Sequence, residues 1–247
     1  MIFLFLSASI GVAKTISMTQ ETKPLLIGGI IFPEIDQADF TGPFEVLSSI
    51  PNSKFLTIAK TLHPVRDIHG LILTPGITFD NAPQLDVLLI PGGYGINSLM
   101  KDPTTLAFIQ KQTLHAKLVI TVCTGSLLLG ATGFLKERHA TTHWAAHHLL
   151  KPLGAIPVYE RVVHDGNLIS AAGVTSGIDA ALLAVSLLCD KETAEEIQLS
   201  IEYALNPPFQ SGTPESAPAS VLQKVKNDLA SVTNEREVII QQLSQKL

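Results

Sequence analysis

The chain has little that would tie it to nucleic acid, to a membrane or to a disulfide framework. Only 16% of its 247 residues are charged, the formal net charge is −5, and no block of lysine or arginine occurs. Because nucleic-acid binding depends on clustered positive charge, a small, weakly charged partner fits better. The two cysteines, Cys123 and Cys189, are too few and too far apart for a secreted disulfide framework. We therefore expect a cytoplasmic protein with neither a nucleic-acid nor a membrane partner.

The N-terminal residues 1–23 differ from the rest of the chain. Residues 1–13 are an apolar run that ends in small residues, as in a signal peptide, but no basic residue precedes the run. The run is also too short to span a bilayer. Because an ordinary polar stretch begins at Met18, we expect Met18 to be the natural start and residues 1–23 to be an extension. A cleaved leader with periplasmic export is the alternative.

From residue 24 onward, strand-like and helix-like segments alternate. Continuous apolar runs, typical of strands buried in a parallel sheet, occur at residues 25–32, 87–90 and 118–122. Segments with helical spacing are residues 40–49, 103–115, 126–133, 144–150, 176–188 and 194–203. Residues 156–163 and 168–170 are typical of a hairpin. Residues 24–205 are therefore predicted to form one doubly wound α/β sandwich with an antiparallel excursion.

The last 42 residues, 206–247, have a different composition. Residues 206–214 contain three prolines and a glycine, which favours an extended connector. Apolar residues then recur at helical spacing through Val225, Leu229, Val232, Ile239 and Leu243. The heptads are too few for a coiled coil. We expect a C-terminal helix that packs on the domain or on a second subunit.

Three predicted strands end in residues that can do chemistry. Open α/β sheets bind ligands beyond the carboxyl ends of their strands, so these residues are expected to meet. The acids Glu34, Asp36 and Asp39 follow the first strand, Gly92 and Gly93 follow the second, and Cys123 ends the third.

Each of these features also has a simpler structural interpretation. Asp36 or Asp39 would suit the N-cap of the next helix, and the glycine pair would suit a tight turn. Cys189 lies in an apolar helical run and is expected to be buried and inert. Cys123 differs because a helix N-terminus favours thiolate and can hold a developing anion. The joint occurrence of the three strand ends favours an active site with Cys123 as nucleophile.

Short motifs along residues 26–221 carry a family resemblance. They lie at residues 39–46, 91–93, 122–126, 140–145, 152–158, 160–163, 165–168, 177–179, 203–204 and 217–221. Together they resemble the DJ-1/PfpI superfamily and, within it, the branch that hydrates isocyanides. The resemblance implies a flavodoxin-like fold with its cysteine at a nucleophile elbow. It also implies a homodimer that needs no metal and no organic cofactor.

The implied reaction is the hydration of an isocyanide, R–N≡C, to an N-formamide. Cys123 would attack the terminal carbon to form a thioimidate, and Asp39 would act as general acid and base. Backbone N–H groups of Gly93 and Thr124 would stabilise negative charge, and the Thr124 hydroxyl would tune the thiolate or orient the acid. The expected substrate pocket comprises Gly92, Tyr94, His143, Trp144 and Val174.

The chain departs from related patterns at several positions. In the protease-like branch a histidine follows the nucleophile, whereas Thr124 stands here, which weakens a peptidase interpretation. His143 suits a catalytic role and a local structural role equally well. His147 and His148 have no acid or cysteine at ligand spacing, so no metal site is predicted. Residues 170–172 replace glycines of close members, so the pocket near Val174 is expected to differ in shape.

Two other functions remain open from the sequence. The same thiol and carboxylate would serve a glyoxalase III-like or deglycase-like enzyme that acts on reactive aldehydes. A non-enzymatic redox sensor is the second alternative, because a thiol of low pKa oxidises readily. Related domains also occur fused to helix-turn-helix modules, but the single short helical tail and the acidic net charge of this chain do not match such a module.

Overall fold

A seven-stranded sheet forms the centre of the protein in the computed structural model, which describes residues 23–245. The strands within this range are β1 (Leu25–Ile30), β2 (Ser53–Ala59), β3 (Val65–Arg66), β4 (Ile72–Leu73), β5 (Ile77–Thr78), β6 (Val87–Ile90), β7 (Leu118–Val122), β8 (His139–Ala140), β9 (Ile156–Pro157), β10 (Val162–Asp165) and β11 (Leu168–Ala171). The main sheet has the order β10-β11-β7-β6-β1-β2-β5, and β10 alone pairs antiparallel within it. The predicted α/β sandwich with a mostly parallel sheet is confirmed.

Helices flank this sheet. They are α1 (Gln37–Ser48), α2 (Ile96–Leu99), α3 (Pro103–Thr113), α4 (Gly125–Gly130), α5 (Val174–Leu188), α6 (Lys191–Ser200) and α7 (Ala219–Ser244). Short 3-10 helices lie at Phe79–Asn81, Trp144–Leu149 and Lys151–Leu153. Among residues 23–245, no helix combines the length and the apolar character that crossing a bilayer requires.

The register of the central strands explains where the functional residues gather. All residues of β6 and β7 are buried, as expected for strands covered on both faces. Ile90, the last residue of β6, pairs with Thr121, the penultimate residue of β7. On the other side of β6, Gly29 of β1 pairs with Leu89. The three strands therefore end close together, and the residues that follow them meet at one edge of the sheet.

Several local predictions are wrong. The helix predicted over 144–150 is a 3-10 helix, Trp144–Leu149. The hairpin forms between β10 and β11, but residues 156–157 form β9 and pair with β8 instead. Pro157 has no N–H to donate, so it does not prolong the hairpin ladder. Cys189 is exposed rather than buried, because α5 ends at Leu188.

The two ends of the chain differ in what can be described. Residues 1–22 and 246–247 lie outside the described residues. The predicted N-terminal extension, residues 1–23, falls in this undescribed part except for Lys23. Residues 206–214 contain neither helix nor strand. Beyond them, α7 packs against α2 and against two 3-10 helices, Trp144–Leu149 and Lys151–Leu153. Ile239 and Ile240 of α7 are buried in the hydrophobic core.

Candidate active site

Cys123 occupies the turn between β7 and α4 with a φ of 55°. This left-handed conformation is costly for a residue other than glycine, so the surroundings must hold it. The Cys123 N–H donates to Ala171 O at 2.9 Å, and Thr142 Oγ1 donates to Cys123 O at 2.6 Å. A Cβ on Gly125, two residues after Cys123, would lie 2.1 Å from Ile90 O, so glycine is required there. The thiol is therefore fixed at the sheet edge by β11, by the loop after β8 and by the end of β6.

The loop after β6 lies between the acid and the nucleophile. Gly92 N donates to Asp39 Oδ2 at 3.1 Å, and Gly93 N donates to Thr124 Oγ1 at 3.2 Å. A Cβ on Gly92 would lie 2.7 Å from Thr124 N and 2.9 Å from Asp39 Oδ2. The glycine pair thus allows the first turn of α1 and the first turn of α4 to approach each other closely.

Asp39 does not cap a helix. Asp36 is the N-cap of α1 and accepts from Ala38 N at 3.1 Å, whereas Asp39 is wholly buried one turn further on. Among the described residues, Asp39 Oδ1 has no hydrogen-bond partner. Burial, and then the charge of Asp36, raise the pKa of Asp39 to about 8, although the Gly92 N–H and the Cys123 thiol lower it. The carboxyl group is therefore largely protonated at neutral pH and able to exchange a proton there.

The Cys123 thiol lies in an environment that opposes its ionisation. Burial and the charge of Asp39 raise its pKa well above the ordinary value, while the Thr124 N–H and Arg236 act in the opposite direction. The expectation of a lowered thiol pKa from the helix N-terminus alone is wrong, because desolvation and the carboxylate outweigh it. The thiol and the carboxyl group titrate as a coupled pair.

His143 follows Thr142, which bonds to the Cys123 carbonyl, but it is not an acid at neutral pH. Its Nδ1 accepts from Ala145 N at 3.4 Å, so it caps the 3-10 helix that follows. Burial, and then Arg236, lower the pKa of His143 to about 4. The ring centroid lies 5.4 Å from that of Trp144. His143 is consequently a neutral, locally bonded side chain beside the thiol turn.

The other predicted pocket residues lie at the margin of the site. Tyr94 directly follows the glycine pair and is exposed. Val174 is the first residue of α5, is also exposed, and lies three positions after Ala171, the partner of the Cys123 N–H. Both side chains thus reach solvent close in sequence to residues that bond to the glycine pair or to the thiol turn.

Sequence reasoning missed Arg236 and Asn97. Arg236 projects from α7, is 5% exposed, and donates to Gly93 O at 2.8 Å and to Asn97 Oδ1 at 2.8 Å. A signal was present, because Arg236 falls on the apolar stripe of the tail, four residues after Val232 and three before Ile239. A charged residue at such a position is rarely buried without a polar partner.

No group of three or more metal-ligating side chains occurs in residues 23–245. The two neighbouring histidines on the 3-10 helix have other partners. His147 Nε2 lies 3.0 Å from Val158 O, and its ring stacks on Tyr159 at a centroid distance of 3.6 Å. His148 Nε2 lies 2.8 Å from Glu237 Oε1 of α7. Both side chains therefore link elements of the fold.

Comparison with known proteins agrees with this architecture. The DJ-1/PfpI family matches residues 27–187. An isonitrile hydratase from Pseudomonas putida is 47% identical, over 90% of this chain and 98% of its own length. The crystal structure of a ThiJ/PfpI family protein from Pseudomonas syringae superimposes with a TM-score of 0.86 at 36% identity, covering 94% of this chain and 97% of that one. A glutathione-independent glyoxalase from Caenorhabditis elegans is 24% identical, over 54% of this chain and 72% of its own.

Proposed function

This chain belongs to the DJ-1/PfpI family, and from that premise we propose that it hydrates isocyanides to N-substituted formamides. One observation carries the proposal. Asp39, a buried carboxyl group with a pKa of about 8, interacts with the Cys123 thiol in a chain 47% identical to an isonitrile hydratase. A general acid and base works best when its pKa is near the operating pH.

In the first step, the sulfur of Cys123 attacks the terminal carbon of R–N≡C and a C–S bond forms. As the bond forms, the protonated Asp39 carboxyl group gives its proton to the same carbon and takes up the proton of the thiol. The product is a thioimidate, R–N=CH–S, attached to Cys123. Proton transfer within the pair removes the need for a free thiolate, which the raised pKa of Cys123 disfavours.

In the second step, water adds to the thioimidate carbon. Asp39 gives its proton to the nitrogen and takes one from the water, so that the tetrahedral adduct R–NH–CH(OH)–S forms. The C–S bond then breaks, R–NH–CHO leaves, and the sulfur takes the hydroxyl proton of the adduct. The sum is R–N≡C plus water to the formamide, with both side chains restored. Asp39 Oδ1, which lacks a hydrogen-bond partner among the described residues, is available for these transfers.

Thr124 and Gly93 have different tasks in this scheme. The Thr124 N–H stabilises negative charge on the Cys123 sulfur, which lowers the pKa of the thiol. The Gly93 N–H already bonds to Thr124 Oγ1 at 3.2 Å. Gly93 therefore holds the Thr124 hydroxyl in place, and Thr124 supplies the anion-stabilising donor. His143, with its lowered pKa, contributes a neutral wall.

The remaining parts of the proposal follow the family resemblance. The enzyme works as a homodimer in the cytoplasm on a small isocyanide, and the steps above use only side chains, backbone and water. Gly92, Tyr94, Trp144 and Val174 shape the substrate pocket.

The direct test is formamide production from a small aryl isocyanide. We expect turnover by the wild-type protein and a loss of at least about a thousandfold in Cys123→Ala and in Asp39→Asn. Cys189→Ala is the matched control, because it removes the other cysteine from an exposed position, and it should keep full activity. Formamide production that survives Cys123→Ala would contradict the covalent route.

A second candidate function is the conversion of a reactive aldehyde. The resemblance to the glutathione-independent glyoxalase favours it, since the thiol and carboxyl pair would also serve a hemithioacetal. Conversion of methylglyoxal to lactate, with no turnover of isocyanides, would establish this function instead.

The raised pKa of Cys123 argues against a redox sensor, because peroxide reacts with the thiolate.

A further inference from the structure

The guanidinium of Arg236 is buried behind Gly92 and Gly93, which together are called the glycine loop below. It reaches the site from α7, and its Nη2 donates to the Gly93 carbonyl at 2.8 Å. The same Gly93 donates its N–H to Thr124 Oγ1, and Gly92 donates its N–H to Asp39 Oδ2. Arg236 therefore bonds directly to the loop whose N–H groups bond to Asp39 and to Thr124, the residue after Cys123.

Asn97 fixes the direction of this guanidinium. Its Oδ1 accepts from Arg236 Nε at 2.8 Å, while its Nδ2 donates to Val232 O at 3.2 Å and to Glu235 Oε2 at 2.9 Å. Asn97 is only 3% exposed and lies in α2, directly after the glycine loop. Both ends of its amide thus bind α7 to the segment that carries Gly92 and Gly93.

Within residues 23–245, the charge of Arg236 has no direct carboxylate partner. In the described part of the chain, no carboxylate oxygen lies within 4.0 Å of its guanidinium. Burying a cation without an anion is expensive. Its neighbours include the Cys123 thiol, whose ionisation it favours, and His143, whose protonation it opposes. This cation therefore favours the negative charge that the Cys123 and Asp39 pair acquires when it loses a proton.

We propose that Arg236 is a positioning residue that holds the Gly92-Gly93 loop against Asp39 and Thr124 and places a fixed positive charge beside the reacting sulfur. On this proposal, α7 forms the back wall of the active site. The inference deepens the proposed function and rests on it for the identity of the substrate, but the role of Arg236 toward Cys123 is measurable without any isocyanide.

Several charged and titratable groups affect the pKa of the Cys123 thiol, and a titration must separate their effects. Asp39 and Asp36 of the α1 region disfavour ionisation of Cys123, whereas Arg236 of α7 favours it. Tyr94 and Glu235 act on Arg236 itself. His143 keeps a pKa near 4 and stays neutral from pH 6 to 10. Among these groups, Arg236 carries the positive charge, so its removal should raise the pKa of the Cys123 thiol.

The test is the pH profile of Cys123 alkylation by iodoacetamide, followed by the mass of the Cys123 peptide. Arg236→Gln should raise the midpoint by roughly one pH unit, since an opposite charge nearby shifts a pKa by about that much or more. Arg236→Lys keeps the charge and should restore most of the midpoint. Lys226→Gln, which removes a cation from the exposed part of the same helix, should leave it unchanged. A wild-type midpoint in Arg236→Gln would overturn the proposal.

A second variant keeps the proposal testable if Arg236→Gln does not fold. Asn97→Ala removes the hydrogen bond that Arg236 Nε donates and keeps the positive charge of Arg236. We expect kcat to fall about tenfold with KM changed less than twofold, because the loop is no longer held in place. An unchanged kcat in this variant would refute the positioning role. If wild type turns over no isocyanide, the proposed function fails, while the alkylation profiles still decide the role of Arg236.

Discussion

At the scale of single residues, two acids three positions apart do different work. Asp36 caps α1, whereas Asp39 lies one turn later with its carboxyl group buried against Gly92 and Cys123. The residues alone left capping open for both acids, and the family resemblance pointed to Asp39 as the functional one. Which of the two acids caps α1 depends on the residue at which the helix begins. Tertiary contacts of the loop, rather than local propensity, set that residue.

The buried Asp39 predicts that stability falls as pH rises. Its folded pKa of about 8 lies above the unfolded value near 3.8, so the folded state binds the extra proton between these values. The free energy of unfolding is therefore highest below pH 4, as far as this group is concerned, and decreases up to about pH 8. Between pH 6 and pH 9 the wild type should lose about 2 to 3 kcal/mol more than Asp39→Asn in urea denaturation.

Asp36→Asn is the matched comparison for this measurement. Asparagine still caps the helix, but the second cause of the raised Asp39 pKa is gone. The variant should lose less stability than wild type over the same pH range and more than Asp39→Asn. Parallel pH dependence in wild type and Asp39→Asn would show that Asp39 ionises at an ordinary pKa.

At the scale of elements, the three strands that lead to the site were easier to predict than the contacts that complete it, whereas β2 was not predicted. The apolar runs gave β6 and β7 with the bounds of the structure, because strands buried on both faces need continuous apolar side chains. Their shared edge then brought Cys123, Gly92 and Asp39 together. Arg236 was missed because no periodicity reveals which distant loop a single buried arginine on a tail helix will contact.

The glycine loop provides a prediction at this scale. Gly92→Ala places a Cβ 2.7 Å from Thr124 N and 2.9 Å from Asp39 Oδ2, so the loop or the acid must shift. A displacement of about 1 Å at reacting groups costs on the order of a hundredfold in rate. We expect kcat for isocyanide hydration to fall by about that factor.

Gly212→Ala serves as its control, because a Cβ there meets no atom within 4 Å. This variant should match wild type in rate and in thermal unfolding. Full activity in Gly92→Ala would mean that the close approach of α1, the loop and α4 is not needed for the reaction.

At the scale of the whole molecule, the sheet and the tail converge on one place. The segments that follow β1, β6 and β7 carry Asp39, the Gly92-Gly93 pair and Cys123, and α7 packs against them through the hydrogen bonds of Arg236 to Gly93 and to Asn97. The notable feature of this arrangement is its charge balance. A thiol and a carboxyl group that both resist ionisation lie beside one buried cation. Such a site is suited to passing a proton within the pair rather than to storing a thiolate.

The central claim is that Cys123 bonds to the isocyanide carbon before water does. The most direct measurement is the intact mass of the wild-type protein, rapidly quenched in acid after mixing with excess aryl isocyanide, followed by mapping of the modified peptide. We expect a mass increase equal to one isocyanide, located on Cys123 and absent from Cys123→Ala. Formamide released by wild-type protein, with no adduct on Cys123 in any variant or at any quench time, would contradict it.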